Sequence, residues 1–146
     1  MKRIVSAAIL GIAAAMAFAG DSSADFEADP SLLGRWKWIS MKLLAVSVET
    51  GDKADDYVLE FKEGGAISVE ADCRDGAGTY RTSGTTVLNM DLDSIDSSNC
   101  GVGSFADQMV DLLNEGSFEY TFLDGGNGLR LKFAKGAGTA VFSKAD

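Results

Sequence analysis

Residues 67–80 read ISVEADCRDGAGTY, and this stretch decides the fold. Ile67, Val69 and Ala71 alternate with polar residues, the period-two pattern of a strand with one buried face. Cys73 continues the phase, so the spacing aims its sulfur inward. Residues 75–78 then bring two glycines, which predict a bulge or corner. Gly78, Tyr80 and Thr82 open a further strand. No residue in the stretch spells out a reaction.

The same alternation runs outward in both directions. Residues 33–40, LGRWKWIS, place Trp36 and Trp38 on one face and Arg35 and Lys37 on the other. Residues 41–50 continue with Leu44, Val46 and Val48 in step, a weaker second strand. A charged loop, 49–56, leads to a strand at 57–62 with Tyr57, Leu59 and Phe61 on one side. Glu63, Gly64 and Gly65 form a hairpin turn, because glycine tolerates the positive φ that such turns require. The return strand is 66–72. Beyond the corner, Ser83 and Gly84 turn the chain into a strand at 86–92. Residues 93–103 form a loop that carries Cys100. Residues 104–115 predict one helix, with Phe105, Met109, Leu112 and Leu113 on an apolar stripe. Ser104 and Asp107 have the spacing of a capping box, and Gly116 stops the helix. Strands at 117–123, 129–133 and 139–143 follow, with turns at 124–128 and 135–138. The fold expected is mainly β (α+β). It is an antiparallel curled sheet or barrel-like meander of seven to eight strands, with one inserted short helix.

The N-terminus reads as an address. Lys2 and Arg3 precede an apolar run, 4–16, that falls short of the ~20 residues a membrane span needs. Ala17, Phe18 and Ala19 make a small-x-small cleavage site. Residues 1–19 are therefore expected to be a signal peptide, 20–31 a flexible acidic lead-in and 32–146 the β domain. The expected localisation is periplasmic or secreted, with no stable membrane span after cleavage. Net charge is −9 over the 146 residues. Without residues 1–19, 11 basic residues face 22 acidic ones, or −11. Such a surface repels phosphate backbones, which argues against nucleic acid.

An exported chain with two cysteines is expected to join them. Cys73 and Cys100 lie 27 positions apart. Closing that loop stabilises by roughly 3–4 kcal/mol through the entropy of the unfolded chain. A redox or metal-binding pair would call for a CxxC spacing or a nearby histidine, and the chain has neither.

The order of landmarks resembles a known family. Gly34-Arg35-Trp36 opens the domain. A strand ends in Ala71-Asp72-Cys73, and Gly78-Thr79-Tyr80 follows. Cys100 precedes a short helix with Phe105 and Leu112-Leu113, and Leu129-Arg130-Leu131 lies in the closing strands. This resembles the META domain, the HslJ-like family of small exported bacterial proteins, over about residues 32–142. The resemblance implies a compact antiparallel β domain with one helix. It also implies a role in secretion, envelope stress or virulence. It carries over no catalytic residues; the cysteines and landmark residues transfer as structure.

The absence of histidine removes Ser-His-Asp triads, Cys-His nucleophiles and His-ligated zinc together. Asp91, Asp93 and Asp96, and likewise Asp52, Asp55 and Asp56, cluster without matching a calcium loop. They read as solvated loops, and neither a metal nor a cofactor is expected. The chain is not expected to be an enzyme. Trp36, Trp38 and Tyr80 are the candidate ligand-binding residues. Their bland reading is the packed face of a sheet. The Gly34-x-Trp36 pattern also looks like the opening strand of lipocalin-type barrels, which hold a small apolar ligand in a hollow interior. Two functions therefore stand at this point. One is an envelope interaction or stress-related module whose partner is another envelope protein. The other is a carrier of a small apolar ligand. They differ in whether the inner face is filled or hollow.

Overall fold

The computed structural model describes residues 28–136 and 138–145. The expected signal peptide and most of the lead-in lie outside the described residues. One strand, β1 (Gly34–Lys42), organises the rest. It pairs with β3 (Tyr57–Phe61) along one edge and with the last strand, β9 (Thr139–Lys144), along the other. Between them run β4 (Ala66–Ala71), β5 (Arg74–Ser83), β6 (Val87–Ile95), β7 (Ser117–Leu123) and β8 (Gly128–Phe133). Each neighbouring pair is antiparallel, and the β1–β9 pairing closes eight of the nine strands into a barrel. The ninth, β2 (Ser47–Glu49), extends the sheet beside the end of β1. Among the described residues one α-helix, α1 (Ala106–Asn114), sits between β6 and β7. The mainly β meander with one inserted helix is thus the observed fold.

Alternation explains the core. Trp36, Trp38, Leu59, Phe61, Ile67, Val69, Leu88, Phe118, Leu131 and Phe142 are buried inside the barrel. Their polar neighbours face water, and β1, β3 and β4 share an outer cluster in which Arg35 pairs with Glu60 and Glu70. The phase of β1 slips once. Its pairing with β9 shifts register between Trp38 and Ser40, so Met41 turns inward where unbroken alternation would place Ser40. The carbonyls displaced by this bulge are satisfied by Thr50. Its hydroxyl donates to Trp38 O at 2.6 Å and its backbone N–H donates to Ile39 O at 3.0 Å, which accounts for its burial.

Several expectations need correction. Cys73 does not continue the inward phase. The chain reverses after Ala71, Asp72 takes φ +60°, and Cys73 lies exposed in the turn between β4 and β5. The bend at 75–78 falls inside β5, because that strand already begins at Arg74. The loop expected from 93 begins after Ile95, where β6 ends. Leu44 and Val46 are not in step with Val48. The chain turns at 43–46, with Leu43 N–H donating to Val46 O at 2.7 Å, so both side chains face outward. The capping box is not formed. Phe105 occupies the cap without a side-chain bond, Ser104 Oγ accepts from Ala106 N–H at 3.2 Å, and Asp107 turns to Arg74 at 2.8 Å. Asp29, inside the expected lead-in, already accepts from the Tyr120 hydroxyl at 2.9 Å.

The glycine corner has a steric cause. The β5–β6 register shifts between Ala77 and Gly78, and a Cβ at Gly78 would lie 2.1 Å from Asp91 O. Backbone cannot yield as a side chain does. Gly78→Ala is expected to destabilise the domain by about 2–3 kcal/mol, the upper range for overpacking, measured by chemical denaturation.

Candidate functional site

The barrel interior is occupied by its own side chains. Trp36 and Trp38 are fully buried, and their polar edges are already used. Trp36 Nε1–H donates to Leu32 O at 2.7 Å, and Trp38 Nε1–H donates to Ser40 O at 3.0 Å. Tyr80 is buried, stacks edge-on against Phe61 at 4.8 Å and donates its hydroxyl to Lys62 O at 3.0 Å. These three candidates are thus not gathered around a common space. Of the two tryptophans, Trp36 packs toward Leu32 and Phe122, while Trp38 packs toward Tyr57.

Both ends of the barrel are plugged. At the Gly34 end, Leu32 is fully buried, and the turn holding it is capped by Asp29, whose Oδ1 accepts from Ser31 N–H at 2.9 Å. The second carboxylate oxygen of Asp29 accepts from the Tyr120 hydroxyl at 2.9 Å. Burial, then the hydrogen bond and charge of Asp29, push the Tyr120 pKa up to about 12. Burial raises Tyr80 as well. The folded state therefore holds these protons more tightly than the unfolded chain does. The associated stability is fully present below pH 10 and is lost as pH rises through about 12. Tyr120→Phe is expected to cost about 1.5 kcal/mol at neutral pH and to flatten the fall in Tm above pH 10, as followed by thermal melts. An unchanged alkaline slope would contradict the assignment.

At the other end lies α1. Met109, Leu112 and Leu113 enter the core. The loop before the helix is held from several sides. Cys73 and Cys100 are joined by a disulfide with Cα atoms 5.4 Å apart. Arg74 Nε–H donates to Ser98 O at 2.6 Å, and its guanidinium also pairs with Asp107 at the start of α1. Phe105 N–H donates to the Tyr57 hydroxyl at 2.8 Å, and Lys53 reaches Gly103 O at 3.1 Å. The covalent link expected from the cysteine count is present, at the surface rather than in the core.

The acid clusters take ordinary surface roles. Asp91 and Asp93 are exposed on β6, and Asp96 exchanges bonds with Asp75. Asp55 pairs with Lys37 at 2.6 Å. Among the described residues, no group of three or more Asp, Glu, Cys or His converges as a metal site would need.

The concave surface lies outside the barrel. A wide groove runs where β6 leaves β7, lined by Arg81, Asn89, Asp91 and Lys135 with the edge of Tyr80. A smaller depression, about 130 Å³, lies between α1 and the 43–46 turn. Met41, Leu43, Val46, Leu112 and Phe133 give it apolar walls, and Gln108, Asp111 and Glu115 line it from the helix. Gln108 Oε1 is buried with no hydrogen-bond partner among the described residues. An orphaned acceptor of this kind costs about 1–3 kcal/mol. Beside it, Leu44 is 91% exposed and Val46 44%. The sequence reading missed these residues. Gln108, Asp111 and Glu115 stand at i, i+3 and i+7, a stripe next to the apolar one, and helical spacing alone would have revealed it. The exposure of Leu44 and Val46 was hidden, because alternation assigned them inward.

No family model and no curated protein matches the chain. Solved structures do. A DUF4847 family protein from Bacteroides vulgatus superposes with a TM-score of 0.58 at 16% identity, over 80% of this chain and 97% of that one. A protein from Burkholderia xenovorans gives 0.55 at 15% identity, over 78% of this chain and 83% of that one. An uncharacterized protein from Bacteroides eggerthii gives 0.51 at 14%, over 78% and 99%. At these identities the likeness concerns the fold, and the chain is a small antiparallel barrel domain of the kind these proteins share.

Proposed function

We propose that the chain is an exported, non-catalytic barrel domain that works through its outer surface, as an interaction or stress-related module of the bacterial envelope in the manner of META/HslJ-like proteins. The observation that carries this reading is the filled interior: Trp36, Trp38, Phe61, Phe118 and Phe142 occupy the space a carried ligand would need. Export draws support from the signal-like residues 1–19 and from the disulfide, a bond that persists outside reducing compartments. Among the described residues, no helix is long and apolar enough to cross a membrane. The carrier reading has the barrel topology in its favour but lacks a hollow interior to place its ligand in.

The test is a thermal-shift screen against lipids and hydrophobic metabolites. A ligand at 100 times its Kd stabilises by ~2.7 kcal/mol, which is readily seen in a domain this size. No stabilisation by any purely apolar ligand is expected. A hit whose shift disappears on changing Trp36 or Trp38 would replace this reading with the carrier. Export is checked separately by N-terminal sequencing of the secreted or periplasmic protein, which is expected to begin at Gly20.

A further inference from the structure

We infer that the depression between α1 and the 43–46 turn is a docking site for a basic, apolar segment of a partner protein. One aliphatic side chain of the segment enters the depression, and a neighbouring lysine or arginine lies against Asp111 and Glu115. The inference rests on the surface-module reading above and names its partner's chemistry.

Four observations converge on this spot. The depression is small, about 130 Å³, which suits one branched aliphatic side chain rather than a lipid tail. Val46, 44% exposed, carries apolar surface from its wall out to solvent, so the contact extends past a single inserted group. The electrostatics select the sign of the occupant. Asp111 lies in the last turn of α1 and Glu115 is its C-cap, where the helix dipole already presents negative charge. No basic residue stands in that turn, and neither carboxylate has an ion-pair partner among the described residues. An arriving cation relieves both carboxylates at once, whereas an acidic segment is repelled. Finally, Gln108 brings a buried acceptor without a donor to the same wall. A turn of the Gln108 side chain into the depression brings that oxygen to a peptide N–H, a donor that an aliphatic chain alone does not supply.

The site is held rigidly. Leu43 packs so closely over Gly138 that a Cβ there would come within 2.5 Å of it, and Phe133 stands at the same point. The disulfide and the Arg74–Asp107 pair anchor the start of α1. A preformed site of this kind spends little binding energy on ordering itself.

The experiment titrates the folded, disulfide-intact chain, labelled with ¹⁵N, with capped tetrapeptides and follows amide shifts. The probe is acetyl-Gly-Leu-Lys-Gly-amide. Its controls are the Leu-Glu and Ala-Lys analogues and isopentylamine. The Leu-Lys peptide is expected to move the resonances of Val46, Leu112 and the Gln108 side chain. Its Kd is expected to be at least tenfold tighter than that of the Leu-Glu or Ala-Lys peptide. The exposed pair change Asp111→Asn with Glu115→Gln is expected to weaken it at least fivefold. Gln108→Leu is expected to weaken it too, although a purely apolar site would bind as well or better after that change. Equal binding of the Leu-Glu peptide would overturn the inference, as would equal binding by the Asn/Gln variant. Shifts confined to the groove of Arg81 and Lys135, or no shifts at all, would do the same. Tighter binding of isopentylamine than of the peptide would assign the site to a small amine instead. None of these outcomes touches the surface-module reading, which falls to an apolar ligand held inside the barrel.

Discussion

Trp36→Ala is expected to lower the stability of the domain by about 4 kcal/mol and its Tm by roughly 12–20 °C. The indole is fully buried, and its removal leaves a void that the rigid barrel wall cannot close. Three further contacts go with it. Leu32 O loses the donor at 2.7 Å, which loosens the plug at the Gly34 end. Phe122, its ring 6.2 Å away, loses an aromatic neighbour. Lys144, held 4.8 Å over the indole while donating to Leu33 O, loses its cation–π partner. Trp36→Phe is expected to cost roughly half as much, because the ring volume is mostly kept and the hydrogen bond is not. Urea melts of the three proteins check the series. A loss under 1 kcal/mol for the alanine variant would mean that the ring is not packed as described.

Joint replacement of Cys73 and Cys100 by serine is expected to cost about 3.5 kcal/mol, against a net stability of ~5–15 kcal/mol for a domain. Most of that reflects the unfolded chain, which regains the freedom of a loop 27 residues long. The native consequence is local. The bond holds residues 96–105 against the β4–β5 turn and so sets where α1 begins. Arg74, Tyr57 and Lys53 hold the same loop without covalent help, so the helix is expected to loosen rather than leave the barrel. Hydrogen exchange should show the amides of 106–114 losing protection before those of β3 and β4. Thiol labelling of the denatured, unreduced protein is expected to find no reactive sulfur. Equal stability with and without reductant would remove the staple from the account.

Much of the architecture was legible because period-two patterning is local. Tyr57, Leu59 and Phe61, or Phe118 and Tyr120, disclose a buried face with no knowledge of the partner strand. Turn chemistry is local as well, and Gly64 with Gly65 marked the β3–β4 hairpin. The errors fall where a distant contact or an unmarked local turn overrode the alternation. The bulge at Ile39 resets the phase of β1 because β9 and Thr50 meet it from elsewhere in the chain. Asp107 could have closed a capping box, but Arg74 offers it a full positive charge. Leu44 continued the alternation on paper, yet the chain had already turned.

The residue pattern alone determined a strand-rich domain with one late helix, an acidic surface and a single possible cysteine pair. Each follows from composition or from spacings of a few residues, where neighbouring side chains decide the outcome. Only the tertiary structure decided that β1 meets β9, that Trp36 and Trp38 fill the interior, and that Gln108, Asp111 and Glu115 stand beside Leu43 and Val46. Those facts depend on pairings between residues far apart in the chain, and closure of the barrel brings them together.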